Sequence, residues 1–184
     1  MPHLKYAVLL ALALGATAGR AADTPRPITD TTPIRIDGVG PVRIGMPFDE
    51  AKRLTGMKFS DPKAYEATND TNECTYVTFP DGPKDLSFML IHGVIARIDV
   101  IRTATNRTTE GVGLGTPERD IRRIYRHAKI KIAPSHYEGN AGREITVTMP
   151  GHRGLRYFFA TDLKKVIGMT IGRRREVEYV EGCL

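Results

Sequence analysis

Aspartate and histidine side chains are the first candidates for chemistry in this sequence. A working acid and base pair needs two carboxyl groups close in space with shifted pKa values, and the candidates for it are Asp81, Asp85, Asp99 and Asp162. A metal site that can be recognised in a sequence has ligands at short spacing on a shared element, although distant segments can also assemble one. The histidines that follow the N-terminal segment stand singly: His92, His127, His136 and His152. Several of them adjoin glycines and resemble turn residues. We therefore predict no catalytic set, no metal site and no cofactor.

Glycine-rich segment Gly111–Gly115 has a superficial likeness to a phosphate-binding loop. It lacks the Lys-Ser/Thr that ends a P-loop and the spacing of a dinucleotide-binding fingerprint. Gly115 instead precedes a proline that is suited to open a helix, so a turn is the better interpretation. The sequence also contains no Gly-x-Ser-x-Gly, His-Glu-x-x-His or Cys-x-x-Cys motif. No enzyme class is indicated.

Two cysteines, Cys74 and Cys183, are the only ones in the chain. In an exported protein an even number of cysteines favours a disulfide. A reactive thiol pair would more usually have a close Cys-x-x-Cys spacing. We predict a Cys74–Cys183 disulfide that ties the C-terminal tail to the first half of the chain.

Arginines form two basic clusters that are candidates for partner binding. Around the second predicted helix they recur at intervals of three and four residues, which places them on one face. The two interpretations are a docking face for an acidic partner, polyanion or phospholipid head group, and an ordinary solvated surface. Nucleic acid is disfavoured because no aromatic ladder accompanies the basic groups. The clusters are Arg119, Arg122, Arg123 and Arg126, and Arg173, Arg174 and Arg175.

Residues 1–22 have the pattern of a secretory signal peptide. Lys5 precedes an apolar run that is too short to span a bilayer, and small residues follow it. No cysteine directly follows that run, so we predict no lipid anchor and no stable membrane attachment. Removal of Lys5 and Arg20 lowers the formal charge of +6 by two. We predict a periplasmic or secreted protein.

The sequence contains an internal duplication. Val42–Leu54 and Val112–Ile124 share a Gly-x-Pro helix opening, with Ile44 and Leu114 standing 70 positions apart. Pro at the start and acidic residues in the first turn predict a helix in each copy, with Thr116 as the N-cap of the second. Ile121, Ile124 and Tyr125 form its predicted buried stripe.

Each copy continues, after a polar interval, into three β-rich runs separated by turn signals. The intervals are 60–73 and 134–142, and the runs are 75–79, 86–90, 94–100, 144–148, 155–159 and 166–171. We predict an α+β fold of two tandem repeats, each a short strand, a helix and a three-stranded antiparallel meander, with both helices on one face of a joined sheet. The predicted boundaries are 1–22 signal peptide, 23–36 extended lead-in, 37–106 repeat 1, and 107–184 repeat 2 with the C-terminal tail.

This order of elements, with the Gly-x-Pro turns, resembles the tandem repeats of the β-lactamase inhibitory protein fold and the small envelope modules of the outer-membrane assembly lipoprotein type. The resemblance covers roughly residues 37–172. It implies function through a surface, because those modules carry no active site. The chain lacks the anchoring cysteine of the lipoproteins.

Export, duplication and the lack of a catalytic motif together predict a periplasmic binding or inhibitor module that acts through a protein–protein surface. Its predicted partner is an envelope protein, and an acidic one would suit the arginines. The alternative is an envelope hydrolase or small-ligand-binding protein with a site at the junction of the repeats. A concave site to which His127, His136 or Asp162 contributes would favour that alternative.

Overall fold

The structure is a computed structural model that describes residues 24–61, 74–137 and 139–183. Among those residues it has two α-helices, a short 3-10 helix and ten strands. The helices are α1 (Phe48–Thr55), α2 (Glu118–Ile124) and the 3-10 helix (Glu176–Glu178). The strands are β1 (Ile34–Arg35), β2 (Gly38–Val39), β3 (Val42–Arg43), β4 (Cys74–Thr78), β5 (Leu86–Ile91), β6 (Val94–Val100), β7 (Lys129–Ser135), β8 (Gly139–Thr148), β9 (Leu155–Thr161) and β10 (Val166–Arg173).

The strands form a small sheet and a large one. β1, β2 and β3 make the small antiparallel sheet, and the large sheet has the order β4-β5-β6-β10-β9-β8-β7 with antiparallel pairing throughout. β6 and β10 adjoin in its middle, so the β4–β6 meander continues into the strands of the second half. The predicted mixed α+β class, with a large joined sheet, is confirmed.

Both helices pack against the same face of the large sheet. Phe48 of α1 and Ile121 of α2 belong to one hydrophobic core with Phe88 and Phe159 of the sheet. Because side chains alternate across a strand, the residues between those core positions point to the opposite face. We call this second surface the helix-free face.

Each helix begins after a Gly-x-Pro turn with matching backbone hydrogen bonds. Gly45 N donates to Ile95 O (2.7 Å), and Gly115 N donates to Val166 O (2.8 Å). The φ angles of Gly45 and Gly115 are 92° and 79°, a region that strains any residue with a Cβ. The turns therefore fix each helix start to the strand behind it, and the second turn accounts for Gly115 of the segment that resembled a phosphate loop.

The prediction that Thr116 caps α2 is wrong by one residue. Pro117 occupies the cap position, as Pro47 does for α1, and neither helix has a side-chain cap hydrogen bond. The Thr116 side chain is buried, and its hydroxyl accepts hydrogen bonds from Gly113 N (3.0 Å) and Arg107 Nη1 (3.3 Å). Thr116 therefore holds the preceding loop rather than the helix.

The predicted polar interval 134–142 is also wrong, because most of it belongs to a β-hairpin. β7 is an additional edge strand, and β8 begins at Gly139, well before the predicted 144. Ile130 and Ile132 of β7 lie opposite Val147 and Ile145 of β8. Burial of these aliphatic pairs stabilises the hairpin, which therefore continues over the residues of the interval 134–142 although their own β-propensity is low.

Several predictions fall on residues outside the described ranges. The signal peptide of residues 1–22 and most of the interval 60–73 are among them. In the part of the chain that is described, no helix is long and apolar enough to cross a membrane.

Candidate functional site

The helix-free face carries a cleft of about 730 Å³. Its floor is the large sheet, and one wall is formed by residues 177–180 of the C-terminal segment, which runs across that face. The volume lies within the range of about 300–1,000 Å³ that is typical of ligand sites. The cleft spans the middle of the sheet, where the two halves of the chain meet.

One register row crosses all seven strands along the floor. Cross-strand partners on one face stand side by side, so this row is a continuous line of side chains roughly 29 Å long at the usual strand spacing. In strand order its members are Thr78, Ser87, Asp99, Thr170, Phe158, Thr146 and Lys131. All of them line the cleft.

Three small residues in the neighbouring row make the floor deep. The row crosses β10, β9, β8 and β7, and its members in that order are Gly168, Ala160, Glu144 and Ala133. A Cβ added to Gly168 would touch only the Cβ of Ala160, at an ordinary 3.7 Å. Gly168 therefore leaves open space on the floor beside Phe158, and a larger side chain there would fill it.

Asp99 and Arg97 form an ion pair at the centre of the cleft. Arg97 Nε donates to Asp99 Oδ1 (2.8 Å) and Oδ2 (3.1 Å), and Thr170 Oγ1 donates to Oδ1 (2.7 Å). The side chains of Arg97 and Asp99 are only 13% and 7% exposed. Burial raises the pKa of the Asp99 carboxyl, and the charge of Arg97 opposes that rise.

Arg97 also fastens the C-terminal segment to the sheet. Its Nη1 donates to the backbone carbonyls of Glu176 (3.1 Å) and Tyr179 (3.0 Å). Gly172 lies opposite Arg97 on β10, and a Cβ there would come within 2.6 Å of Ala96 O, so only glycine allows this close approach.

Two further attachments hold the end of this segment. Tyr137, in the turn between β7 and β8, donates through its hydroxyl to Val180 O (2.7 Å). Cys183 forms the predicted disulfide with Cys74 of β4, with an S–S distance of 2.04 Å. The segment therefore spans the helix-free face between fixed points. A disulfide is typical of proteins outside the cytoplasm.

The predicted partner-binding arginines lie away from the cleft. On α2 the prediction of inward and outward faces is confirmed, because Ile121 and Tyr125 are buried and Ile124 packs against the core. Arg123 forms an ion pair with Asp120 (3.3 Å), and Arg173 of β10 is partly buried. The other five predicted arginines are exposed, and none of them forms an ion pair with a described residue. The five are Arg119, Arg122, Arg126, Arg174 and Arg175.

The histidines and three of the four aspartates contribute nothing to the cleft. His127 and His136 are exposed and do not line it. Asp162 accepts the backbone N–H groups of Lys165 (2.8 Å) and Lys164 (3.0 Å), which lowers its pKa. Asp85 is bound by Thr103, whose hydroxyl and N–H lower the Asp85 pKa.

Among the described residues, no group of three or more His, Cys, Asp or Glu side chains is placed to hold a metal ion. Sequence reasoning named Asp99 only as one of four aspartates and did not name Arg97. A signal was present, because Arg97 and Asp99 flank Ile98 in an otherwise apolar strand and must share one face.

Comparison with known proteins finds a structural likeness but no family. No protein-family model and no curated protein matches the chain. Among solved structures the chain is similar to the uncharacterized protein yfeY from Escherichia coli, at 18% identity and a TM-score of 0.43. That match covers 78% of this chain and 100% of the other. It carries no functional argument, and the resemblance to inhibitory and lipoprotein modules stays a prediction.

Proposed function

We propose that this protein is an exported, non-enzymatic binding protein whose ligand occupies the cleft on the helix-free face. The observation that carries the proposal is the cleft of about 730 Å³, whose floor includes the small residues Gly168 and Ala160 and whose wall is the C-terminal segment. A sheet face that is only exposed to solvent requires neither small residues on its surface nor a chain segment attached across it. Ligand sites are typically concave and largely pre-formed in this way.

Binding fits the chemistry of the cleft better than hydrolysis does. Among the described carboxyl groups, Asp99 has a raised pKa, which is the usual sign of an acid or base. Both of its oxygens already accept hydrogen bonds, from Arg97 and Thr170, and Arg97 is itself bonded to two carbonyls. A group held in this manner serves to position the wall of the site.

The location of the cleft fits a duplicated chain, which we also propose. Phe48 N donates to Gly93 O, and Glu118 N donates to Lys164 O, both at 2.9 Å, so each helix start meets its own hairpin in the same way. The two meanders then join at β6 and β10, and the cleft lies over that junction. In this proposal residues 37–106 are the first copy, residues 107–184 are the second copy with the C-terminal tail, and residues 1–22 direct export.

A second candidate function is docking of an envelope protein on the outer face of α2. It is favoured by the exposure of Arg119, Arg122 and Arg126, for which no carboxylate partner is present among the described residues. Exposed charges of one sign steer association with an acidic partner. This surface is separate from the cleft, so the two candidates are tested by different variants.

The cleft proposal is tested by filling its floor. Gly168→Leu places a bulky side chain beside Phe158, and Gly154→Leu is the matched control, because a Cβ at Gly154 meets nothing within 4 Å and Gly154 does not line the cleft. Neither glycine has a left-handed backbone. Saturation-transfer NMR would use defined probes: neutral oligosaccharides, dodecanoate and short peptides.

We expect at least one probe class to bind the natural protein and Gly154→Leu, with binding lost in Gly168→Leu. Folding of both variants is checked by circular dichroism. If no probe binds, or if Gly168→Leu binds as the natural protein does, the proposal is wrong.

A further inference from the structure

We infer that the ligand of the cleft is an uncharged, hydroxyl-rich molecule, namely a neutral oligosaccharide. The inference rests on the proposed binding function and adds the chemical class of the ligand. Three features of the cleft support it: the presence of charged groups of both signs, its unused hydroxyl groups and its aromatic floor.

The charged side chains that line the cleft are of both signs. Arg97 and Asp99 neutralise each other within 2.8 Å. Of the remaining groups, Lys131 and Arg102 are positive, whereas Asp61, Glu144 and Glu178 are negative. An anionic ligand would meet these carboxylates, and a cationic one would meet Lys131 and Arg102. A neutral ligand with both donors and acceptors can use both kinds of group, since hydrogen bonds to charged groups are the stronger ones.

Hydroxyl groups on the floor distinguish a saccharide from an acyl chain. Ser87 and Thr146 belong to the register row, and their hydroxyls make no hydrogen bond within the described residues. Covering them with hydrocarbon would remove water and leave both without partners, which is unfavourable. Sugar hydroxyls can both donate to and accept from them, so the same burial would be compensated.

An aromatic ring on the floor suits the apolar face of a sugar. Phe158 is half-buried between Thr170 and Thr146 in its row, and its ring pairs with no other aromatic ring among the described residues. The adjacent Ala160 and Gly168 are small enough to leave its surroundings open. Tyr179 of the C-terminal segment lines the same cleft. Aromatic side chains of this kind supply large contact area to a ligand that is apolar on one side and polar on its edges.

The test compares probe classes by titration calorimetry on the full exported protein. The probes are maltooligosaccharides, cellooligosaccharides and N-acetylglucosamine oligomers, with dodecanoate and neutral tetrapeptides as the competing classes. We expect one of the saccharide series to bind with an affinity that rises with chain length and depends little on salt, as is usual for uncharged ligands.

Two variants of Phe158 distinguish the contribution of the aromatic ring from that of an apolar side chain of similar size. Phe158→Leu should weaken saccharide binding about tenfold, whereas Phe158→Tyr should keep it, because the second variant retains the ring. Equal binding by both variants contradicts the inference. If dodecanoate or a peptide binds and Gly168→Leu abolishes that binding, the ligand class is wrong and the cleft proposal stands. If no probe binds, both fail.

Discussion

Replacement of Arg97 by methionine tests whether one side chain holds the cleft together. Methionine keeps much of the apolar length and removes the guanidinium. Arg97→Met therefore breaks the ion pair with Asp99 and the two hydrogen bonds to the carbonyls of Glu176 and Tyr179. We expect the free energy of unfolding to fall and the C-terminal segment to lose its attachment at this point.

The size of the effect follows from the burial of the pair. Asp99 is only 7% exposed, so the variant leaves a largely buried carboxylate whose remaining partner is Thr170. Removing one partner of a buried ion pair costs about 3–5 kcal/mol. Each bond to a backbone carbonyl contributes up to about 3 kcal/mol when its donor is charged, and these contributions overlap rather than add. We expect a loss of about 3–5 kcal/mol near pH 7.

Urea denaturation followed by far-ultraviolet circular dichroism measures this loss, since the chain has no tryptophan for fluorescence. Arg102→Met is the control, because the Arg102 side chain is 77% exposed and 3.7 Å from Asp85. The control should change stability by less than about 0.5 kcal/mol.

The double variant Arg97→Met with Asp99→Asn gives the sharper comparison. It removes the stranded charge, so it should be more stable than Arg97→Met alone by about 1 kcal/mol or more. A loss below about 1 kcal/mol for Arg97→Met, or a double variant no more stable than the single one, would refute the reasoning.

Three further predictions concern the tail, the pH dependence and the arginine face. Joint replacement of Cys74 and Cys183 by serine should lower the free energy of unfolding by about 2–5 kcal/mol, since the loop they close spans 109 residues; an unchanged urea midpoint would contradict this. Because burial raises the pKa of Asp99, the stability from its neutral form is present below about pH 4 and is lost as pH rises through the folded pKa. The free energy of unfolding of Asp99→Asn relative to the natural protein should therefore rise with pH above about 4. A difference between the two proteins that does not change with pH would contradict this prediction. Replacement of Arg122 and Arg126 by glutamate should leave the urea midpoint nearly unchanged and reduce retention on immobilised heparin at low salt; unfolding, or unchanged retention, would rule out a docking face.

Local patterns predicted the parts of the fold that local physics controls. The Gly-x-Pro turns at Gly45 and Gly115 predict the helices that follow them, because glycine permits the turn and proline fixes a backbone angle suited to the start of a helix. The period of Ile121, Ile124 and Tyr125 was enough to orient α2. The disulfide followed from compartment and cysteine number alone.

The sequence analysis offered a site at the junction of the repeats only as its alternative, and it did not predict the residues that line the cleft, because they depend on register between distant strands. Thr170 lies beside Asp99 only because β10 pairs with β6, and no local pattern fixes that pairing. The additional strand β7 carries an alternating Lys-Ile-Lys-Ile pattern that could have been recognised as a strand. Its continuation through Pro134 and the glycines of β8 has no such pattern, and tertiary pairing decides it.

A crystal structure of the protein grown with the tightest-binding probe from the calorimetric series is the most direct test of the binding site. We predict electron density for the ligand on the helix-free face, in contact with Phe158 and next to Gly168, and under residues 177–180. Density at another surface with the cleft empty would contradict the proposed function.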